Sequence, residues 1–409
     1  MTLLFSVTSC LFASQDSGWQ ADPDVVEQRK HERPRALWEE TDVRPYELPD
    51  SLRGSDGSIV HMSDAWPQRR MEILELFRTH MYGRRPGAPE RLSFEVVDQD
   101  ASAIGGAATL RRIAIESVHQ GRTHQFEIIL FLPNAVQGRV PVFLLINTRG
   151  PGNTDPTQQE PSGFWPVKQV IARGYGIAAL QARDLAPDDP ERFRDEVISL
   201  FEGEEPTHRR EPDAWAALAA WGWGASRAMD YFEADSRVDA SKVAVLGHSR
   251  GGKASLWAGA EDERFALVIS NDSGSGGAAL SRRRFGESIR VVNRFTHWFA
   301  GNFDTFEDRE DELPFDQHML IALVAPRAVY VASADEDLWA DPRGEFLSLA
   351  HASSVYALWN HAPIRADDMP PLDRPLFVGP RGYHVRTGRH NLTPDDWRHF
   401  TDFADHLWR

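Results

Sequence analysis

The segment Lys242–Lys253 places a turn between an apolar strand and a helix, and it restricts the possible folds more than any other part of the chain. It reads Lys-Val-Ala-Val-Leu-Gly-His-Ser-Arg-Gly-Gly-Lys, with glycine two positions before and two positions after Ser249. Small residues at this spacing let the backbone turn sharply from strand to helix and hold the serine in strained geometry. The turn presents the serine hydroxyl at the carboxyl edge of a sheet, so Ser249 is a candidate nucleophile.

Apolar strands alternate with helices on both sides of this turn. Strands are predicted at 140–146, 176–180, 243–246, 265–269 and 328–332, and helices at 164–173, at 214–232 and from Gly252 onward. Strands that are apolar throughout are buried on both faces, which is typical of a parallel sheet covered by helices. The sequence therefore predicts an α/β fold with a mostly parallel central sheet.

The chain before residue 133 follows a different pattern. A helix is predicted from an N-cap at Ser63 to Met81, and an antiparallel meander at 92–98, 107–116 and 124–132. Residues 17–60 are polar and proline-rich, so we predict an extended surface arm there. Without an internal repeat or a low-complexity tract, residues 21–409 are predicted to form one catalytic domain with antiparallel lead-in strands.

Charge and cysteine content exclude several classes of function. The chain has 45 basic and 61 acidic side chains and a formal net charge of −16, which argues against binding to nucleic acid or to anionic membranes. A single cysteine, Cys10, allows no intramolecular disulfide and no cysteine-based metal site. None of the fifteen histidines forms an H-E-x-x-H motif, and we expect neither a metal nor another cofactor.

The N-terminus resembles an export signal. An apolar run at 3–13 is too short to cross a bilayer and gives way to a polar stretch, so residues 1–20 are predicted to be a signal peptide or a disordered terminus. Small residues before Cys10 also match the pattern of a bacterial lipoprotein. We expect an exported protein, periplasmic or secreted, with a lipid anchor as an alternative, no membrane-spanning segment and a monomeric state.

A serine nucleophile needs a histidine base, and in a strand–turn–helix arrangement of this kind the base comes last in the chain. His384 lies in an apolar run that is predicted to be the final strand, so a structural role is favoured for it. His390 follows Gly388 in the next loop, before a helix that begins around Thr393. Its position at the carboxyl end of the last strand favours His390 as the base.

The residues leave the identity of the triad acid open. Four carboxylates follow the strand that ends near Ala332, at positions 335, 336, 337 and 341, and each is able to orient His390. Asp272 is a further candidate, because it directly follows the strand after the turn helix. The oxyanion is expected to accept hydrogen bonds from the backbone N–H of Arg250 and from a second N–H in the 147–150 loop.

Several motifs of this chain resemble those of the glucuronoyl esterases, carbohydrate esterase family 15. The family motif G-x-S-R-x-G-K is matched at every fixed position by Gly247–Lys253. Further matches are Asp272-Ser-Gly-Ser-Gly-Gly, His297-Trp-Phe-Ala-Gly-Asn-Phe, Leu313-Pro-Phe-Asp-Gln-His, Ala325-Pro-Arg, Trp339-Ala-Asp-Pro and Tyr46-Glu-Leu-Pro-Asp. The resemblance extends from about residue 40 to the C-terminus. It implies an α/β-hydrolase fold and cleavage of the ester between (4-O-methyl-)glucuronic acid of xylan and lignin alcohols.

The resemblance also implies roles for individual residues. Ser249 corresponds to the nucleophile, His390 to the base, and Arg250 to an oxyanion residue that contributes its side-chain cation. Lys253 corresponds to a lysine that binds sugar hydroxyls, and Glu287 and Trp339 to residues that contact the glucuronoyl ring. The expected partner is glucuronoxylan or a lignin–carbohydrate ester.

The resemblance narrows the choice of acid to two positions. Many fungal members place a glutamate where Asp272 stands, and some bacterial members use an acid where Asp337 stands. Because Asp272 is one methylene shorter than glutamate, Asp337 is favoured as the principal orienter of His390, with Asp272 as a supporting or alternative partner. The family often has aspartate where Asn391 follows the base.

Two other functions are compatible with the sequence. One is a serine carboxylesterase for another carbohydrate ester, such as acetylated xylan or a methyl uronate; Lys253 and Glu287 favour a sugar acid over a small acetyl group. The other is a carbohydrate-binding protein on an inactive hydrolase scaffold. The complete set of triad residues argues against it.

Overall fold

Strand β4 (Val140–Asn147) shows why the chain forms a sheet that is covered on both faces. All of its residues except Pro141 are buried. Leu144 and Ile146 contribute to the hydrophobic core on one face of the sheet, and Phe143 and Leu145 to the core on the other. This alternation follows from the two-residue period of a strand. The computed structural model describes residues 18–203 and 210–409.

The described residues form ten strands and ten helices. The strands are β1 (Arg91–Asp100), β2 (Ala108–His119), β3 (Arg122–Pro133), β4, β5 (Gly176–Gln181), β6 (Val238–His248), β7 (Leu267–Asn271), β8 (Ala328–Ala334), β9 (Leu376–Val378) and β10 (Arg381–Arg386). The helices are α1 (Pro23–Glu32), α2 (Trp66–Phe77), α3 (Val167–Ala172), α4 (Val197–Glu202), α5 (Ala217–Ala234), α6 (Arg250–Glu261), α7 (Ile289–Val292), α8 (Gln317–Ala322), α9 (Pro342–Tyr356) and α10 (Pro394–Trp408).

All ten strands belong to one sheet, in the order β1-β2-β3-β5-β4-β6-β7-β8-β10-β9. Strands β5, β4, β6, β7, β8 and β10 are parallel to one another, whereas β1, β2 and β3 form an antiparallel meander that joins β5. This is the α/β-hydrolase arrangement, with the antiparallel lead-in that the sequence predicts. Because the parallel strands all end at one edge, the loops that follow them converge there.

The predicted central strands are confirmed, but their observed ends differ from the predicted ones. Strand β6 begins five residues earlier than predicted, at Val238, and extends to His248. Helix α6 begins at Arg250 rather than at Gly252, so the strand-to-helix turn is the single residue Ser249. The sequence pattern locates the hydrophobic centre of each element but not the backbone hydrogen bonds that end it.

In the N-terminal part, one prediction is wrong and one is confirmed with a later start. Residues 17–60 are not extended throughout, because they include the ten-residue helix α1, which is capped by the Asp22 side chain. No residue of α1 is buried, so it lacks the apolar period by which helices are recognised in sequence. The helix predicted at 63–81 begins at Trp66 with Ala65 as its N-cap, and after Phe77 it continues to Tyr82 as a π-helical turn.

The predicted export signal lies almost entirely outside the described residues. Residues 1–17, which include Cys10, are not described. Within 18–203 and 210–409, no helix has the length and the apolar character needed to cross a bilayer.

Candidate active site

Ser249 occupies a strained backbone conformation at the carboxyl end of β6. Its φ and ψ angles are 58° and −129°, a region that residues with a side chain rarely adopt. The turn is tight enough to require glycine on both sides, since a Cβ at Gly247 would lie 2.1 Å from the Gly251 carbonyl oxygen. The Ser249 N–H donates to the Asn271 carbonyl at 2.9 Å, which fastens the turn to strand β7.

His390 and Asp337 are in hydrogen-bond contact beside this turn. His390 Nδ1 lies 2.6 Å from Asp337 Oδ2, and the carboxylate is 6% exposed while the imidazole is 41% exposed. The two loops meet because β8 and β10 are paired in parallel, and the Gly388 N–H donates to Asp335 Oδ1 at 2.6 Å. Both residues and Ser249 line one pocket of about 350 Å³, which we call the catalytic pocket.

Asp272 lies beside this pair but makes no comparable contact. It is buried with φ 45°, and neither carboxyl oxygen has a hydrogen-bond partner among the described residues. The nearest cation, the Arg386 guanidinium, is 3.6 Å away. Burial, together with the negative charge of Asp337, raises the pKa of Asp272 well above its ordinary value. This shift favours the protonated form of Asp272, and Asp337 is the carboxylate in contact with His390.

Replacing Asp272 with asparagine is expected to stabilise the protein at neutral and alkaline pH but not near pH 4. The folded state retains a proton that the unfolded state releases above its ordinary pKa of 3.8, so this group weakens folding as the pH rises through that value. The limiting slope is about 1.4 kcal/mol per pH unit. Asparagine also tolerates the left-handed backbone. Melting temperatures of both proteins at pH 4.5 and pH 7.5 measure the effect; an equal difference at the two pH values contradicts it.

The same residues form a group of possible metal ligands. Asp272, Asp337 and His390 each offer one ligand atom, and these atoms lie within 4.8 Å of one another. It is the one cluster of this kind in the described part of the chain. In the present arrangement the His390 nitrogen on this side is already bonded to Asp337, so a cation there would compete with the orientation of the imidazole.

Arg250 follows Ser249 directly and is held by a carboxylate that sequence reasoning missed. Its Nε lies 2.6 Å from Asp188 Oδ2, and its Nη2 donates to the Thr148 carbonyl at 3.2 Å. Asp188 Oδ1 accepts from the ring nitrogens of His297 and Trp298, both at 2.7 Å. Burial opposes ionisation of Asp188, but the hydrogen bond from His297 and the charge of Arg250 outweigh it and lower the pKa of Asp188. The one available signal was its position in the loop after β5.

A second arginine, Arg149, joins the loops around the base. It extends from the loop after β4, and its guanidinium donates to Asn391 Oδ1 at 2.6 Å and lies 2.8 Å from His248 Nε2. The Arg149 N–H is bonded to the Asn147 side chain at 3.1 Å, so it is not free for the oxyanion that the sequence assigned to this loop. Burial and the neighbouring charges of His390 and Arg149 lower the pKa of His248 well below its ordinary value, which keeps that ring neutral.

His384, the alternative base, does not line the catalytic pocket. It is buried in β10, with Nε2 2.9 Å from Asp396 and Nδ1 2.9 Å from the Tyr330 hydroxyl. Burial raises the pKa of Asp396, but the hydrogen bond from His384 and the charge of His384 have the larger effect and lower this pKa to about 2. Both ring nitrogens are engaged in the core, which is the structural role that the sequence favoured.

Lys253 and Glu287 form a buried ion pair in the wall of the catalytic pocket. Lys253 Nζ donates to Glu287 Oε2 at 2.9 Å, to the Ser273 carbonyl at 2.7 Å and to the Ser275 carbonyl. These contacts use all three N–H donors of the ammonium. The expected contact of Lys253 with a sugar hydroxyl therefore requires one of these bonds to be shared. Glu287 retains one oxygen, Oε1, without a hydrogen-bond partner among the described residues.

Trp339 is joined to Glu287 and covered by the N-terminal segment. Its carbonyl accepts the Glu287 N–H at 2.9 Å, and the Arg33 guanidinium lies 3.8 Å above its indole ring. Trp38 contacts the same indole at 5.8 Å between ring centroids. Helix α1 is fastened here because Arg29 donates to the Glu336 carbonyl at 2.9 Å.

Four pocket residues from the N-terminal segment were missed by sequence reasoning: Arg29, Glu32, Arg33 and Trp38. No motif distinguished them, since they lie in a polar stretch without periodicity. A further residue, Trp298, also lines the pocket; it belongs to the segment His297-Trp-Phe-Ala-Gly-Asn-Phe, to which the resemblance gave no role.

Comparison with known proteins gives a consistent result. A family model described as "Glucuronyl esterase, fungi" matches residues 115–359. The chain is 41% identical over 418 residues to carbohydrate esterase MZ0003 from an unknown prokaryotic organism, covering 95% of each chain. It is 28% identical to a 4-O-methyl-glucuronoyl methylesterase of Schizophyllum commune, over 76% of this chain and 72% of that one. The structure of a glucuronoyl esterase from Solibacter usitatus superposes with a TM-score of 0.84, at 39% identity, over 90% of this chain and 100% of that one.

Proposed function

The chain belongs to the glucuronoyl esterases, carbohydrate esterase family 15, and from this premise we propose that it hydrolyses esters of glucuronic acid, with Ser249 as the nucleophile. It is a carboxylic ester hydrolase with the α/β-hydrolase fold. The observation that carries the choice of substrate is the Lys253–Glu287 ion pair, which lies in the same pocket as Ser249 and His390. The second oxygen of the Glu287 carboxylate has no hydrogen bond to a described residue, so it is able to accept hydrogen bonds from the hydroxyls of a sugar ring. An acetyl group offers it no hydroxyl.

The proposed reaction begins with attack of Ser249 Oγ on the ester carbonyl while His390 Nε2 accepts the hydroxyl proton. Asp337, bonded to Nδ1 of the same ring, holds the imidazole in the required tautomer and stabilises its cationic form. His390 then protonates the leaving alcohol, and a glucuronoyl ester of Ser249 remains. Water hydrolyses this ester with His390 again acting as the base, which restores the free serine and releases glucuronate.

Stabilisation of the negative charge that develops on the carbonyl oxygen is assigned to Arg250. Its backbone N–H opens helix α6 directly after Ser249, and its guanidinium forms an ion pair with Asp188. A cation beside the oxyanion stabilises the transition state more than it stabilises the neutral ester. The ion pair with Asp188 and the hydrogen bond from Nη2 to the Thr148 carbonyl fix the guanidinium before the substrate arrives.

Two measurements test the proposed function. The protein is expected to release benzyl alcohol from benzyl glucuronate with a kcat/KM that exceeds its value on a phenyl acetate ester, and a fluorophosphonate is expected to label it covalently. The Ser249→Ala variant is the control for labelling. Turnover of the acetyl ester alone would replace the proposal with the acetylesterase alternative, and an unlabelled Ser249 would support a carbohydrate-binding protein.

Replacing Glu287 with glutamine is expected to lower kcat/KM on benzyl glucuronate about ten- to thirtyfold, mainly through KM. The change keeps the size of the side chain but removes a charged acceptor, and hydrogen bonds to charged groups contribute about 1.5–3 kcal/mol. Hydrolysis of a phenyl acetate ester reports on the triad alone and is expected to change less than threefold. Glu95→Gln on the exposed face of β1 is the matched control. An equal loss on both esters would assign Glu287 to the triad rather than to sugar binding.

The remaining assignments concern the biological setting. We propose that residues 21–409 act as one catalytic domain, since a single sheet runs from the lead-in strands to β10. We also propose that the protein is exported, periplasmic or secreted, to meet glucuronoxylan or lignin–carbohydrate esters. The large exposed hydrophobic side chains of the described residues come from separate segments, which supports a monomer; they are Met62, Met71, Val96, Val97, Phe295 and Leu372.

A further inference from the structure

A second groove adjoins the catalytic pocket and carries an excess of positive charge. It has a volume of about 740 Å³ and shares Arg33 and Trp339 with the catalytic pocket. We call it the arginine groove, after Arg33, Arg35, Arg284, Arg290 and Arg294 in its lining. The lining includes two acidic residues, Asp308 and Glu310.

Two of these arginines are neutralised by neighbouring carboxylates. Arg284 lies 2.9 Å from Glu310 and 3.0 Å from Asp311. Arg290 pairs with Asp308 and with Glu307. The acidic residues of the groove are therefore already used by arginines of the same groove.

The other three arginines have no carboxylate partner among the described residues. Among the described residues, the exposed Arg35 and Arg294 make no side-chain ion pair or hydrogen bond. The Arg33 guanidinium lies 3.8 Å from the Trp339 ring centre, with Glu32 as a neighbouring negative charge but not in an ion pair. Three unpaired cations around one concave surface are unusual in a chain with a net charge of −16. Concave surfaces lined by one sign of charge concentrate ligands of the opposite sign.

The walls of the groove are fixed relative to the catalytic pocket. Residues 34–37 pair with the opposite wall through the Leu37–Phe285 bridge and a hydrogen bond from the Gly286 N–H to the Leu37 carbonyl at 2.9 Å. The next residue, Glu287, is bonded through its N–H to Trp339. A ligand in the groove and a ligand in the catalytic pocket are therefore held by one continuous piece of backbone.

We propose that the arginine groove binds free carboxylates of an acidic polysaccharide whose esterified uronate occupies the catalytic pocket. This inference rests on the proposed function and extends it from one sugar to the chain that carries it. Guanidinium groups match the planar geometry of a carboxylate and bind it through paired hydrogen bonds. Because the two sites share Arg33 and Trp339, the anion belongs to the same substrate molecule. The preferred substrate is thus a polysaccharide with several uronates, of which one is esterified.

The test compares three substrates with the full-length protein and its Arg35→Gln/Arg294→Gln double variant. They are benzyl glucuronate, a xylo-oligosaccharide with one methyl-esterified glucuronate, and the same oligosaccharide with an additional free glucuronate. The parent is expected to have a higher kcat/KM on the oligosaccharide with the free glucuronate than on the one without it. In the double variant, the ratio of these two kcat/KM values is expected to be about three- to tenfold smaller. The preference is also expected to fall as NaCl rises from about 0.02 to about 0.3 M. Arg91→Gln/Arg365→Gln is the matched control for total charge.

The outcomes separate the two proposals. If the parent hydrolyses none of the three substrates, the proposed function fails. If it hydrolyses them but the double variant keeps the full preference for the free uronate, the arginine groove is not the anion site. An equal loss of kcat/KM on both oligosaccharides would overturn the carboxylate assignment and show that the arginine groove binds neutral sugar. Equal melting temperatures of the parent and the double variant exclude a folding defect.

Discussion

Replacing Asp337 with asparagine is expected to lower kcat on a glucuronate ester by roughly 10³- to 10⁴-fold. The 2.6 Å contact between Asp337 Oδ2 and His390 Nδ1 fixes the proton on Nδ1, so that Nε2 is free to accept the serine proton. An asparagine in this place is able to donate to Nδ1 and favours the wrong tautomer, and a loss of this size follows when a triad carboxylate is replaced by its amide. Single-turnover kinetics on benzyl glucuronate measure the effect directly.

Asp272→Asn is the matched control, because it makes the same chemical change in the neighbouring carboxyl group. Burial and the charge of Asp337 raise the pKa of Asp272 well above its ordinary value, so a neutral amide resembles the protonated form that this environment favours. We expect less than a tenfold loss of kcat. If Asp272→Asn is the more damaging of the two variants, Asp272 rather than Asp337 is the triad acid.

Replacing Arg250 with methionine is expected to lower kcat by about 10²- to 10³-fold with a smaller effect on KM. Methionine keeps the unbranched side chain and the backbone N–H at the start of α6 but removes the cation from the oxyanion. Removal of one oxyanion donor has an effect of this magnitude because the interaction strengthens as the transition state forms. Steady-state kinetics on benzyl glucuronate at saturating concentration give kcat without a contribution from binding.

Two further variants identify the source of this effect. Asp188→Asn removes the carboxylate 2.6 Å from the Arg250 Nε, so it is expected to reduce kcat about five- to twentyfold by freeing the guanidinium from its fixed position. Arg91→Met, an exposed arginine on β1, is the control for loss of a positive charge. A raised KM with kcat intact would show that Arg250 binds the substrate and does not act on the oxyanion.

The parts of the structure that the sequence predicted correctly are those set by local patterns. The turn around Ser249 depends on residues within two positions, and a strand such as β4 is recognised because all but one of its residues are buried. The parallel direction of the central strands follows from their alternation with helices. The location of the candidate site at the carboxyl edge then required no further information, since the loops after parallel strands meet there.

The remaining features depend on contacts between distant parts of the chain. Asp188 is separated from Arg250 by 62 positions and Arg149 from Asn391 by 242, and nothing in either local sequence indicates the pairing. The choice between Asp272 and Asp337 required burial and distance, because both are aspartates at strand ends. Helix α1 escaped prediction since its contacts with the pocket involve polar side chains rather than an apolar face.

The origin of the pocket walls has an evolutionary consequence. Ser249, Asp337 and His390 lie at or just after the ends of central strands. Arg29 lies in helix α1, which contributes no buried residue to the protein interior, and Arg33 directly follows that helix. Substitutions in that helix are therefore under weak selection for folding, and they are able to change the contacts with the substrate. Divergence among relatives in the sugars or alcohols they accept is expected to accumulate there first, while the hydrolytic machinery stays the same.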